Sequence, residues 1–136
     1  ENHKLVAENS GLLTVAALKH LKFKDKKVVS IISGGNMDII TMSSTLQHGL
    51  IQRGRVFSVS VLLPDKPGEL VKVANEIAKQ QGNVIKLEHN QFVSVNRNAA
   101  VELKVTLECF GHDHKEQILK ALKKTGYNPK EEAPNL

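Results

Sequence analysis

The stretch Leu62-Leu63-Pro64-Asp65-Lys66-Pro67-Gly68-Glu69-Leu70 holds what a small-ligand cradle needs. Two prolines stiffen it, Asp65 is able to cap a following helix, and Gly68 lets backbone approach a ligand closely. The first N–H groups of that helix have no partner inside it, so they are free to hold a carboxylate. The same residues would also serve as a plain tight connection. A second glycine turn, Ser33-Gly34-Gly35-Asn36, ends an apolar run abruptly. His112-Asp113-His114 puts its imidazoles on different faces of a helix with no third ligand nearby, which points to capping by His112 or Asp113 rather than to a metal. His89-Asn90-Gln91 lies on an expected strand, where polar residues either flank a ligand or dimer seam or face solvent. Glu88 and Glu102 form no acid pair, because nothing places them across a cleft.

The elements that must position these residues follow from periodicity. Residues 8–21 read as a helix with Leu13, Ala17, Leu18 and Leu21 on one face and Asn9 or Ser10 as cap. Val28-Val29-Ser30-Ile31-Ile32 is apolar without alternation, as in a strand covered on both faces, and a helix from Asp38 to His48 follows. The apolar residues of this segment call for cover, on the rest of the chain or between chains, or else they leave it disordered. Gly49 to Gly54 has linker character. Beyond it the pattern changes. Residues 55–63 alternate, with Phe57, Val59, Val61 and Leu63 on one face. A helix from Pro67 to about Gln81 turns Leu70, Val73, Ala74, Ile77 and Ala78 inward, and Gly82 stands ready to end it. A second strand opens at Asn83 and runs to Phe92; a polar turn at Asn96-Arg97-Asn98 leads to a third, Val101 to Leu107. His112 to Lys124 is a helix stopped by Gly126, and a short edge strand begins at Tyr127-Asn128-Pro129.

From Arg55 the order is therefore β-α-β-β-α-β, an α+β, ferredoxin-like sandwich: a four-stranded antiparallel sheet with both helices on one face. The other face, with Ser58, Ser60, Glu102, Lys104 and Thr106, is expected to meet water or a partner. The domains read as 1–53, a helix–strand–helix piece of an α/β domain; 54–130, the sandwich; and 131–136, a frayed tail.

Composition narrows the function. Aromatic residues are only 4% of the chain, so the core must be aliphatic. The net charge of +5 is spread among acids, with no basic helix or aromatic stacking run, so nucleic acid is not expected as a partner. No apolar run approaches the roughly 20 residues that span a bilayer, and no membrane is expected. The single cysteine, Cys109, has no disulfide partner within the chain and reads as core filler, in keeping with a cytoplasmic protein.

Two groups of residues resemble known families. Arg55 to about Pro129, with Pro64-Asp65-Lys66-Pro67-Gly68-Glu69-Leu70 after the first strand and Gly82-Asn83-Val84 before the second, resembles an ACT domain, a regulatory module that binds amino acids, often at a dimer interface. Glu8-Asn9-Ser10-Gly11 with Val15-Ala16-Ala17-Leu18, then Ser33-Gly34-Gly35-Asn36-Met37-Asp38, resembles the end of the catalytic domain of threonine dehydratase (threonine ammonia-lyase) and of serine racemase. The whole chain is similar to the C-terminal part of a threonine dehydratase carrying one ACT domain.

The resemblance implies a parent enzyme that deaminates threonine to 2-oxobutanoate and ammonia with pyridoxal phosphate. In that parent Ser33, with Gly34 and Gly35, would lie at the cofactor, the serine beside the pyridine nitrogen. A neutral hydroxyl there does not force ring protonation, which tempers the electron sink. The Schiff-base lysine and the phosphate loop belong to the family's earlier sequence, so this chain is expected neither to hold the cofactor nor to catalyse by itself. The effector site would comprise Asp65, Lys66, Pro67, Gly68, Glu69 and Leu70, with Asn83 and Val84 from the same or a neighbouring subunit. An aliphatic wall of Leu63, Leu70 and Val84 suits a branched-chain amino acid, isoleucine or valine first, and a dimer is expected. The alternative is a ligand-free association domain of the same enzyme.

Overall fold

The computed structural model describes residues 5–90 and 100–134. The expected turn at Asn96–Asn98 and the strand end at Gln91 and Phe92 lie outside them. The chain divides into two compact units, Glu1–Ser44 and Thr45–Leu136.

In the first unit a 3-10 turn at Ser10–Leu12 leads into α1, Leu13–Ala17, far shorter than the expected helix over 8–21. Neither Asn9 nor Ser10 caps it: the Ser10 hydroxyl instead donates to Glu8 Oε1 at 2.5 Å. Leu13, Leu18 and Leu21 are exposed, and the apolar run Val28–Ile32 forms no strand. Among the described residues of this unit, a run patterned for cover on both faces has no neighbouring strand to pair with. It is held by α1 instead, through Thr14 Oγ1, which donates to Ile31 O at 3.0 Å and accepts from Ser30 Oγ at 2.7 Å. Helix α2, Ile39–Gln52, continues through the stretch with linker character. Asp38 starts it by accepting the Thr41 N–H (2.8 Å) and hydroxyl (2.6 Å).

The second unit is the expected sandwich. Strands β1 (Val56–Pro64), β2 (Asn83–Asn90), β3 (Ala100–Glu108) and β4 (Lys130–Glu132) form one sheet in the order β2-β3-β1-β4, every neighbouring pair antiparallel. Helices α3 (Glu69–Lys79) and α4 (His112–Lys124) supply Val73, Ile77, Ile118 and Leu122 to the core. Their partners are Phe57, Val59, Val61, Leu63, Leu103, Val105 and Leu107, from alternate positions of the central strands. Cys109 is buried with them, its thiol donating to Gly54 O at 2.9 Å. Ala78, expected inward, is exposed.

The polar sheet face departs from expectation. Ser58, Ser60 and Thr106 are buried. Ser58 and Thr106 share a hydrogen bond of 2.7 Å, and Ser60 donates to Glu102 at 2.6 Å. Lys104 on β3 pairs in register with Ser60, and Glu132 on β4 with Ser58, so their 2.5 Å ion pair must cross over β1. Two small hydroxyl side chains on the central strand thus lie beneath a bridge of long ones.

Candidate functional site

Helix α3 starts two residues later than expected, for a reason visible in its turn. Glu69 N–H reaches back to Lys66 O at 3.4 Å across Pro67 and Gly68, and Gly68 has φ 90° and ψ −12°. This is a type II turn, with proline at its second position and glycine where φ must be positive. Gly68 is therefore the residue before the helix, and Asp65 does not cap it. Intrahelical bonding begins with Lys72 N–H on Gly68 O at 3.1 Å, so the N–H groups of Leu70 and Val71 have no acceptor one turn back.

Beside this turn lies a cleft of about 320 Å³. Asp65, Lys66, Pro67, Gly68, Glu69 and Leu70, all expected at an effector site, line it together. Leu63, Pro64 and Val101 add apolar wall, and His89 reaches it from β2. The volume lies at the small end of the range for ligand sites. Glu69 is the most anchored of its charged groups. Its Oε1 accepts from Lys72 Nζ at 2.6 Å and its Oε2 from the Tyr127 hydroxyl at 3.3 Å. Lys72 holds the Glu69 carboxyl below the usual carboxylate range, and Glu69 in turn raises the Lys72 ammonium.

Asn83 and Val84 do not join the cleft within one chain. They pair with Glu108 and Leu107, whereas His89 pairs with Leu103 and Leu63 with Val101. Six residues of strand, roughly 20 Å, separate Asn83 from His89. Val101 takes the place in the aliphatic wall that Val84 was expected to fill. Sequence reasoning flagged His89 but missed Val101, whose pairing with Leu63 depends on the β1–β3 register.

Neither His112 nor Asp113 is the residue that caps α4, whose N-cap is Gly111 with no side-chain cap bond. Among the described residues no group of three or more His, Cys, Asp or Glu could hold a metal ion. His112 Nε2 lies 3.1 Å from Gln52 O. His114 Nδ1 accepts the Phe110 N–H at 3.0 Å, which leaves Nε2 to donate to Gln80 O, at the end of α3.

In the first unit, Ser33, Gly34 and Gly35 line a separate cavity of about 170 Å³. Glu8 occupies their turn. Its Oε2 accepts the Asn36 N–H at 2.8 Å, and a Cβ on Gly34 would lie 2.1 Å from its Oε1. The Ser10 hydroxyl, then the N–H groups of Asn36 and Gly35, hold the Glu8 carboxyl below its usual range. These residues alone do not suit pyridoxal phosphate. Among the described residues that line the cavity there is no lysine to meet its aldehyde and no cation to meet its phosphate, and the turn's donors already serve Glu8.

Among the described residues, no helix is long and apolar enough to cross a membrane. No family model matches the chain. Among curated proteins, it is 33% identical over 129 residues to an L-threonine ammonia-lyase of Geobacter sulfurreducens, covering 93% of this chain and 32% of that protein. The L-threonine ammonia-lyase of Thermotoga maritima is likewise 33% identical over 128 residues, with the same coverage. Among solved structures, prephenate dehydratase from Streptococcus mutans superposes with a TM-score of 0.48 at 19% identity, over 56% of this chain and 40% of that one. The chain spans about a third of the length of the curated relatives it matches, and over nearly all of its own length it is similar to these L-threonine ammonia-lyases.

Proposed function

We propose that residues 54–130 are an amino-acid-sensing regulatory module of a pyridoxal-phosphate-dependent threonine ammonia-lyase in the cytoplasm. The observation that carries this is the cleft at the Asp65–Leu70 turn. It brings the start of helix α3, carboxylates and an aliphatic wall together beside one small volume. A zwitterion with a branched side chain matches all three: its carboxylate meets the N–H groups of Leu70 and Val71, its ammonium meets a carboxylate, and its side chain meets Leu63, Leu70 and Val101. Isoleucine or valine is the favoured effector. In the longer protein, other residues would have to complete the surroundings of Ser33, Gly34 and Gly35.

The place of Asn83 and Val84 in the site then depends on a second copy. Strand β2 is at the edge of the sheet and carries exposed Val84, Ile85 and Leu87. Antiparallel pairing of two β2 strands about a two-fold axis, in a register centred on the strand, sets Val84 of one copy opposite His89 of the other. Asn83 and Val84 then reach the neighbour's cleft from across the dimer seam. Binding would alter activity by favouring one arrangement of the domains over another. The same exposed edge favours a second reading, association without a ligand.

Isothermal titration of the chain with isoleucine, valine, leucine, threonine and serine tests the proposal. Saturable binding of a branched-chain amino acid is expected. No binding at millimolar concentration of any of them overturns sensing, and a dimer by light scattering would then leave the association reading standing.

A further inference from the structure

The cleft offers two carboxylates to a ligand, and they are not equivalent. Asp65 is exposed at the turn. Glu69 lines the same cleft with its side chain only 15% exposed, held in place by Lys72 on one oxygen and Tyr127 on the other. A carboxylate has about four acceptor positions, so two bonds leave room for a donor arriving from the cleft. Glu69 also opens the helix whose next two N–H groups are free. An α-amino acid carries its carboxylate and its ammonium on one carbon, so a carboxylate seated on those N–H groups brings the ammonium to the same helix end.

We infer that Glu69 is the ligand for the effector's α-ammonium group, and thereby the residue that separates α-amino acids from the corresponding 2-oxo acids. The inference rests on the effector reading above. A 2-oxo acid has the same side chain and carboxylate but places a carbonyl oxygen where the ammonium would be. Facing Glu69, that oxygen is an acceptor against an acceptor, with no bond formed and like charge brought together. A fixed carboxylate is better suited to this discrimination than a solvated one, because it cannot swing away from the wrong ligand.

The test is titration of the chain with L-isoleucine and with its 2-oxo acid, for the wild type, Glu69→Gln, Glu69→Asp and Asp65→Asn. The wild type is expected to favour the amino acid by at least about tenfold, the order of one charge-assisted hydrogen bond. Glu69→Gln keeps the side-chain volume, and its preference is expected to collapse through weaker binding of isoleucine. Glu69→Asp keeps the charge but withdraws it by one methylene; it is expected to lose part of the preference and supplies the test if the glutamine variant does not fold. Asp65→Asn is expected to keep the preference. If the wild type binds isoleucine and the Glu69 variants bind it equally well, the assignment of Glu69 falls while the sensing module stands. Collapse in Asp65→Asn alone overturns the assignment in the same way. If the wild type binds no amino acid, both fall.

Discussion

The Tyr127 hydroxyl lies 3.3 Å from Glu69 Oε2 and donates to it, tying the chain after α4 to the first turn of α3. Burial, then the Glu69 charge and the bond to it, raise the Tyr127 pKa. A raised acid keeps its proton longer in the folded than in the unfolded state. The stability this contributes is therefore complete below the ordinary tyrosine range of about 10 and is lost as pH climbs through the folded value. Tyr127 is the only tyrosine and there is no tryptophan, so the tyrosinate absorbance band reports this one group. It is expected to titrate above free tyrosine, and Glu69→Gln to move it down by removing the neighbouring charge. An unshifted titration in the wild type would contradict the bond.

Helix α3 ends on a strained residue. Gln81 has φ 60°, with its N–H on Ala78 O at 2.9 Å and the Gly82 N–H on Ile77 O at 3.1 Å, the two bonds of a Schellman cap. The left-handed position falls to glutamine because glycine is needed one residue later. A Cβ on Gly82 would meet Ile77 Cγ2 at 2.9 Å and Ile118 Cδ1 at 3.1 Å. Gln81→Gly is accordingly expected to stabilise the domain by about 0.5–1 kcal/mol, the left-handed penalty less the entropy of glycine. Gly82→Ala is expected to cost about 1–3 kcal/mol by overpacking the core. Urea unfolding of both variants checks the two signs together.

These residues also show what the sequence could and could not reveal. The β-α-β-β-α-β order was legible because periods of two and of 3.6 residues are local, and helix α4 falls on the expected residues His112–Lys124. The same reasoning failed for residues 8–21 and for Val28–Ile32, where the pattern records surfaces to be covered but the described residues leave them exposed. Register lay beyond reach. Without it Ser58 and Thr106 fall on a face expected to meet water or a partner, Val101 is not connected to the cleft, and Asn83 cannot be placed at the far end of the sheet from it. The start of α3 was readable and was misread: Pro67-Gly68 is the type II turn signature, and it outranks Asp65 as the helix boundary.

The Ser58–Thr106 pair is predicted to be worth more as a pair than either half. Both side chains are buried and each hydroxyl partners the other. Thr106→Val leaves the Ser58 hydroxyl buried without that partner, at a cost of about 1–3 kcal/mol. Ser58→Ala in the same chain removes the orphan and is expected to restore part of the loss. A thermal-unfolding double-mutant cycle measures the coupling; additive losses would mean that the hydroxyls do not depend on each other.

Gly68 separates backbone strain from steric crowding at the candidate site. Its φ of 90° is in the region that favours glycine, yet a Cβ built there meets nothing within 4 Å. The loss on Gly68→Ala is therefore conformational, about 1 kcal/mol, and Gly68→Asn, which tolerates positive φ, is expected to lose less. The turn aims the N–H groups of Leu70 and Val71, so a chain that relieves the strain by leaving the type II geometry re-aims both donors. On the proposed function, effector affinity should then fall in the order glycine, asparagine, alanine, while the proposed β2–β2 association persists because the turn lies outside β2. Measuring stability, affinity and mass of the three proteins under one condition distinguishes a sensing turn, where affinity follows backbone geometry, from an association domain, where the substitution changes stability alone.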